Sequence, residues 1–127
     1  TTKLGLQRVS FVGFQDPIEY DKRASLLLLT SEYEGFPLGF AECMSLGVVP
    51  VVCGRYSAVY DIIESGKNGT IVEPKNGKFD SKTFAEVVLN ITRDEDNLKG
   101  MEVEAIANGN RYYIEYIWPI KKHLIQY

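Results

Sequence analysis

Histidine is almost absent from this chain. The one copy, His123, stands near the C-terminus with no serine or cysteine constellation to serve, so it reads as structural or exposed, and histidine-based nucleophilic catalysis has no candidate. Cysteine is nearly as scarce. Cys43 and Cys53 fall on different predicted elements and lack metal-type spacing; they read as reduced core residues of a cytosolic protein. No cluster of His, Cys and Asp has the spacing of a metal site. Basic residues are not in excess: 14 Lys and Arg stand against 17 Asp and Glu, a net charge of -3, which marks no nucleic-acid binder. No apolar run is long enough for a membrane span, and TTKLGLQRVS lacks the apolar segment of a signal peptide. A cytoplasmic protein is expected, with association at the cytosolic membrane face as the variant. Two sequons, at Asn68 and Asn90, are therefore read as chance. Neither G-x-x-x-x-G-K-[ST] nor G-x-G-x-x-G occurs, so the two common phosphate-loop signatures are missing. There is no internal repeat and no low-complexity segment.

What remains is the composition of one ordinary globular domain: 127 residues, 45% hydrophobic and 24% charged. Residues 1–8 read as the tail of something earlier. Val9 to Val12 predicts a short strand stopped by Gly13. Asp16-Pro17-Ile18-Glu19 has the capping residues of a helix start, and that helix ends near Ala24. Leu26 to Leu29 predicts a strand covered on both faces. A loop and a short helix from about Leu38 to Leu46 follow. Val48 to Val52 predicts another strand, with Pro50 awkward in it unless placed at its start. Ser57 caps a helix bearing Val59, Ile62 and Ile63, stopped by Gly66. Thr70-Ile71-Val72 is the last strand, closed by Pro74. This alternation predicts an α/β fold: a Rossmann-like parallel sheet of about four strands flanked by helices. From Asp80 onward only helices are predicted, along Phe84, Val87, Val88 and Ile91, then Leu98, Met101 and Ala105, then Tyr113, Ile117, Ile120 and Leu124. Pro119 should kink the last. The whole is one domain, a β/α core over 1–74 and a helical tail over 80–127. The tail's tyrosines (Tyr112, Tyr113, Tyr116, Tyr127) read as helix packing.

Ligands of open parallel sheets bind outside the carboxyl ends of the strands. Of the stretches at that edge, Thr30 to Gly39 is the richest. Gly35-Phe36-Pro37 is a turn, and Leu38 and Gly39 open a helix whose free backbone N–H groups and dipole favour an anion. That makes a plausible phosphate cradle without a lysine. The helix is apolar or small except at Glu42 and Ser45, and a carboxylate on such a helix needs a reason to be there. Position alone leaves two readings for Glu42, a partner for the helix dipole or a receiver of vicinal hydroxyls such as a ribose diol. It also leaves two for Glu34, a solvated loop charge or a receiver of sugar hydroxyls.

E-G-F-P-L-G-F-A-E, preceded by S-E-Y and followed by C-M-S-L-G-V-V-P-V-V, closely resembles the Glu-x7-Glu region of the retaining group 1 (family 4) glycosyltransferases. V-S-F-V-G-F upstream and D-I-I-E-S-G-K-N-G-T-I-V-E-P downstream fall in the right order, so the resemblance covers about residues 4–74. It implies the GT-B fold, two Rossmann-like domains facing a cleft, with this chain most of the C-terminal, nucleotide-sugar-binding one. It implies roles by position. Glu34 is the candidate catalytic residue near the transferred sugar, without being assigned as a nucleophile. Gly35, Phe36 and Pro37 line the sugar pocket, Leu38 and Gly39 meet the diphosphate, Glu42 binds the donor ribose, and Gly13 and Phe14 border the base. No metal or other cofactor is implied. Two positions depart from the family: Ser57-Ala58 where Gly-Gly is usual, and Tyr60 at a common proline position.

The activity so implied is transfer of a sugar from a nucleotide-diphosphate sugar to a hydroxyl acceptor with retention, in polysaccharide or glycolipid synthesis. The acceptor would be a sugar, a lipid-linked glycan or a polysaccharide. The acceptor domain and the family's phosphate-binding Arg and Lys are expected upstream of residue 1, so the chain by itself is expected to be inactive. Two rivals stand beside this reading: a sugar-nucleotide epimerase-like GT-B enzyme, and a non-catalytic nucleotide-binding module. A receiver-type domain is disfavoured, because Val12-Gly13-Phe14 stands where its acidic cluster would be.

Overall fold

The computed structural model describes residues 7–11, 13, 19–20, 22–30, 38–54, 58–112 and 114–115. Its elements are β1 (Leu26–Leu29), α1 (Leu38–Ser45), β2 (Val49–Cys53), α2 (Ala58–Ile62), β3 (Thr70–Val72), α3 (Ser81–Arg93) and α4 (Glu95–Tyr112). The three strands form one parallel sheet in the order β1-β2-β3. Each crossover between them carries a helix, as parallel pairing requires.

β2 is buried along its whole length, and Pro50 is its second residue, inside the strand. The register explains why the proline is tolerated. Val49 N donates to Ser25 O on the β1 side at 3.0 Å, and Gly54 N donates to Val72 O on the β3 side at 2.9 Å. Successive residues therefore point to alternate sides, and the missing Pro50 N–H faces β3. Pairing with β3 begins only at Val51↔Thr70, so no ladder bond is lost. Gly69 completes the fit: a Cβ there would stand 2.8 Å from Pro50 Cγ and 2.9 Å from Pro50 O.

Two apolar layers cover the sheet. Val52, with Leu27, Leu29 and Ile71, packs on Ala41 and Met44 of α1, on Ile62 at the end of α2 and Ile63 just after it, and on Ala105 and Tyr112 of α4. Val49, Val51 and Val72, with Leu26, pack on Phe84, Val87, Val88 and Ile91 of α3 and on Leu98 and Met101 of α4. α4 thus reaches both layers. It comes close to α1 at Gly109, where a Cβ would meet Ser45 N at 2.5 Å, Ala41 O at 2.8 Å and Met44 C at 2.9 Å. The end of α1 is a Schellman turn: Val48 N donates to Cys43 O and Gly47 N to Met44 O, with Gly47 at φ 86°.

The periodicities of α3 and of the first half of α4 match the buried residues Phe84, Ile91, Met101 and Ala105. Two expectations fail. The strand expected over Val9–Val12 is not formed at residues 9–11, which are irregular and exposed, Phe11 to 81%; the described sheet has three strands, not about four. A β-rich composition cannot make a strand without a neighbour to pair with, and among the described residues β1 pairs only with β2. Nor is β1 covered on both faces. Leu28 is 49% exposed, because α3 and α4 cover the face it shares with Val51 only over β2, β3 and Leu26. The expected helix start at Asp16, the cap at Ser57 and the residues expected to line the third tail helix, Tyr113, Ile117, Ile120 and Leu124, fall outside those described.

Candidate functional site at the carboxyl edge of the sheet

All three strands end at one edge, with Thr30 after β1, Gly54 after β2 and Glu73 after β3. α1 begins at Leu38, on the return from that edge. Leu38 and Gly39 therefore supply first-turn N–H groups that have no partner within the helix. That first turn contains no acidic residue, so the positive end of the helix has no carboxylate of its own turn to offset it.

Glu42 is the fifth residue of α1. It lies between buried Ala41 and Cys43 but is itself only half-buried. Its backbone carbonyl accepts from Ser45 Oγ at 2.7 Å. Among the described residues its carboxylate has neither a hydrogen bond nor an ion pair. The expectation of buried surroundings holds at Ala41, Cys43 and Met44, while Glu42 itself keeps part of its surface exposed. Of the other expected site residues, Gly13 is exposed with nothing within 4 Å of a Cβ position, and the described contacts do not join it to α1. Phe14, Glu34, Gly35, Phe36 and Pro37 lie outside the described residues.

The edge also holds a group that the sequence reading passed over. Tyr60 Oη donates a hydrogen bond to Glu73 Oε1. This bond to the carboxylate, together with partial desolvation and the nearby negative charge, pushes the phenol up to about 12. Its ring lies against Gly54: a Cβ on that glycine would be 2.5 Å from Tyr60 Oη and 2.8 Å from Ile71 Cγ2. The signal was present as the departure from proline at position 60, but the partner, thirteen residues on, is visible only in three dimensions.

A polar cleft of about 160 Å³ between α4 and the turn before β3 is lined by Glu64, Asn68, Asn108 and Arg111, among others. It lies toward the amino end of β3, away from the candidate site. Asn68 there is 5% exposed and accepts from Glu64 N at 2.9 Å, so the first sequon is occupied by packing. Among the described residues no three His, Cys, Asp or Glu side chains converge as a metal site would require, and no helix is long and apolar enough to cross a membrane.

An α/β chain whose parallel sheet carries a helix in each crossover belongs to the Rossmann-like class. The crystal structure of Anabaena Alr3699/HepE in complex with UDP and glucose shares this fold, with a TM-score of 0.76 over 97% of this chain and 34% of that one, at 23% identity. The family model for glycosyl transferases group 1 matches residues 1–109, and the chain belongs to that family. It is also similar to lipopolysaccharide 1,6-galactosyltransferases, 36% identical over 78 residues to that of Salmonella typhimurium and 36% over 70 residues to that of Escherichia coli K12. Those matches take in 57% and 55% of this chain but only 22% and 19% of the two relatives.

Proposed function

We propose that this chain is the donor-binding, C-terminal part of a retaining GT-B glycosyltransferase. The complete enzyme would transfer a sugar from a nucleotide-diphosphate sugar to a hydroxyl of a glycan or glycolipid acceptor. Family membership supports sugar transfer, and the names of the galactosyltransferase relatives favour a surface polysaccharide or lipid-linked acceptor. The observation that carries the site is Glu42: a half-buried carboxylate, unpaired among the described residues, one turn inside a helix that starts at the sheet's carboxyl edge.

In this reading the first-turn N–H groups at Leu38 and Gly39 receive the diphosphate, and the Glu42 carboxylate accepts two hydrogen bonds from the ribose diol. The backbone of Gly35, Phe36 and Pro37 lines the sugar pocket, Gly13 and Phe14 border the base, and Glu34 lies near the transferred sugar. Catalysis comes from stabilising charge on the departing diphosphate with prearranged donors. No metal takes part. A titration with UDP, GDP and ADP tests the site. At least one should shift the NMR signals of Gly39 and Glu42 at millimolar concentration; silence at both positions with all three would refute it.

A further inference from the structure

We propose that Asn76 is a site of spontaneous deamidation, the reactive one of three Asn-Gly pairs in this chain, and that its conversion to isoaspartate undoes the turn leading from β3 into α3. This does not depend on the donor-site reading above.

The three pairs are Asn68-Gly69, Asn76-Gly77 and Asn108-Gly109. In each, the glycine puts no Cβ in the way of its own nitrogen, which can attack Cγ of the preceding side chain. A C–N bond forms, ammonia leaves, and water opens the cyclic imide at either carbonyl. The products are aspartate, or isoaspartate with the main chain running through Cβ. Residue type alone ranks the three pairs equally.

The structure separates them. Asn68 is buried, its Oδ1 accepts from Glu64 N, and Gly66 N donates to Gly69 O at 2.8 Å. Gly69 is pressed against Pro50 of the buried β2. Asn108 sits inside α4, where its Nδ2 donates to Ile62 O at 2.6 Å and its Oδ1 accepts from Arg111 at 2.9 Å. Gly109 is buried against the backbone of α1, and its N–H belongs to the helical ladder. Ring closure at either pair requires part of the core to come apart.

Asn76 and Gly77 are the central residues of a hairpin turn closed by Lys75 and Lys78, which pair antiparallel. Lys75 N donates to Lys78 O at 2.8 Å, and Lys78 N to Lys75 O at 3.0 Å. Both central residues have positive φ, 52° and 73°, the type I′ pattern that selects Asn-Gly. All four residues are exposed. Among the described residues the Asn76 side chain has no hydrogen-bond partner, and a Cβ on Gly77 would meet nothing within 4 Å. The left-handed backbone holds the Gly77 nitrogen away from Asn76 Cγ, so the reaction passes through an opened turn. Two solvent-exposed backbone bonds close that turn, and a local opening of this kind costs far less than unfolding a core element.

The two products differ in consequence. Aspartate fits the turn, since it too visits the left-handed region. Isoaspartate adds a backbone carbon between Lys75 and Lys78 and breaks their pairing. Just past the turn, Phe79 packs on Phe84 with ring centroids 5.4 Å apart, and Asp80 accepts from Thr83. The start of α3 therefore depends on where the turn delivers the chain.

The test uses the full-length protein that carries this chain, aged at mildly alkaline pH in native buffer and, in parallel, in concentrated urea. Mass spectrometry of digests follows each Asn-Gly peptide, and isoaspartyl methyltransferase labelling tells isoaspartate from aspartate. In urea the three pairs should react at similar rates. In the native protein Asn76 should react at least about tenfold faster than Asn68 or Asn108, because opening free energies differ between an exposed turn and the core. Equal native rates at the three pairs, or an Asn76 as protected as the other two, would overturn the site. Amide exchange over residues 80–84 should quicken in the aged wild type, while Asn76→Asp keeps the pattern of unaged protein. Unchanged exchange once Asn76 has become isoaspartate would overturn the effect on α3. An Asn76→Asp variant that exchanges as fast as the aged wild type would assign the effect to charge and overturn the role of isoaspartate.

Discussion

Replacing Gly109 by alanine should loosen the helix pair that carries the candidate site. The added methyl would stand 2.5 Å from Ser45 N, 2.8 Å from Ala41 O and 2.9 Å from Met44 C. All three are backbone atoms of α1 or its neighbouring peptide, so no side chain can rotate out of the way. Ordinary contact distances are about 3.5–4.0 Å, and α1 would have to move by about 1 Å. Ala41 and Met44, both fully buried, would then lose packing. Overpacking costs about 1–3 kcal/mol, and an unyielding neighbour puts this case at the upper end. Alanine recovers about 1 kcal/mol of helix propensity relative to glycine. A net loss of about 2 kcal/mol remains, which lowers Tm by about 8 °C for a chain of this size. Gly100→Ala is the matched control: it lies on the same helix with nothing within 4 Å of its Cβ position, so it should gain about 0.5–1 kcal/mol. Thermal and urea unfolding of both variants decide the matter. If Gly109→Ala melts at or above wild type, or follows Gly100→Ala, the close approach of α1 and α4 is wrong.

Glu42→Ala in the intact enzyme should weaken donor binding by about 1–3 kcal/mol, the scale of lost hydrogen bonds to a charged group; calorimetry reads this, and unchanged affinity refutes the ribose role. Transfer activity should be unaffected by EDTA, and a loss restored by a divalent cation would contradict the metal-free mechanism. Tyr60 has a folded value of about 12 against an ordinary 10.0, so its contribution to stability is complete below pH 10 and is lost as pH rises from 10 to 12. Denaturation followed across that window should show a decline that Tyr60→Phe lacks. Asp80, before α3, accepts from Thr83 Oγ1, and this bond holds its carboxyl below its ordinary 3.8. Its contribution is present above that pH and disappears as pH falls through the folded value; Thr83→Val should make α3, followed by amide exchange, less sensitive to acid over that interval.

Local patterns carried much of the architecture. The apolar spacing of Phe84, Val87, Val88 and Ile91 marked the buried stripe of α3, because a 3.6-residue period and a single apolar face leave one way to pack. Leu26–Leu29, Val49–Cys53 and Thr70–Val72 formed strands close to their expected bounds. The failures share a cause. Val9–Val12 has the composition of a strand, but whether it pairs depends on a neighbour, and β1 offers described pairing only to β2. Leu28 looked like a core residue, yet its exposure depends on how far α3 and α4 extend across the sheet. Pro50 looked unfit for a central strand until the register showed its ring facing a stretch where β3 has not begun.

For the candidate site, the order of residues from Thr30 to Gly47 was enough to assign Leu38 and Gly39 to a helix start and to single out Glu42, since capping, dipole and the cost of a lone carboxylate are local physics. By itself the sequence determined the α/β class, the family and the helix that bears Glu42. Only the tertiary structure decided which distant groups meet: Tyr60 with Glu73, Gly54 under the phenol ring, and Gly109 against the backbone of α1. Such contacts join residues 6 to 68 positions apart, and no local rule encodes a distance that is set by how whole elements pack.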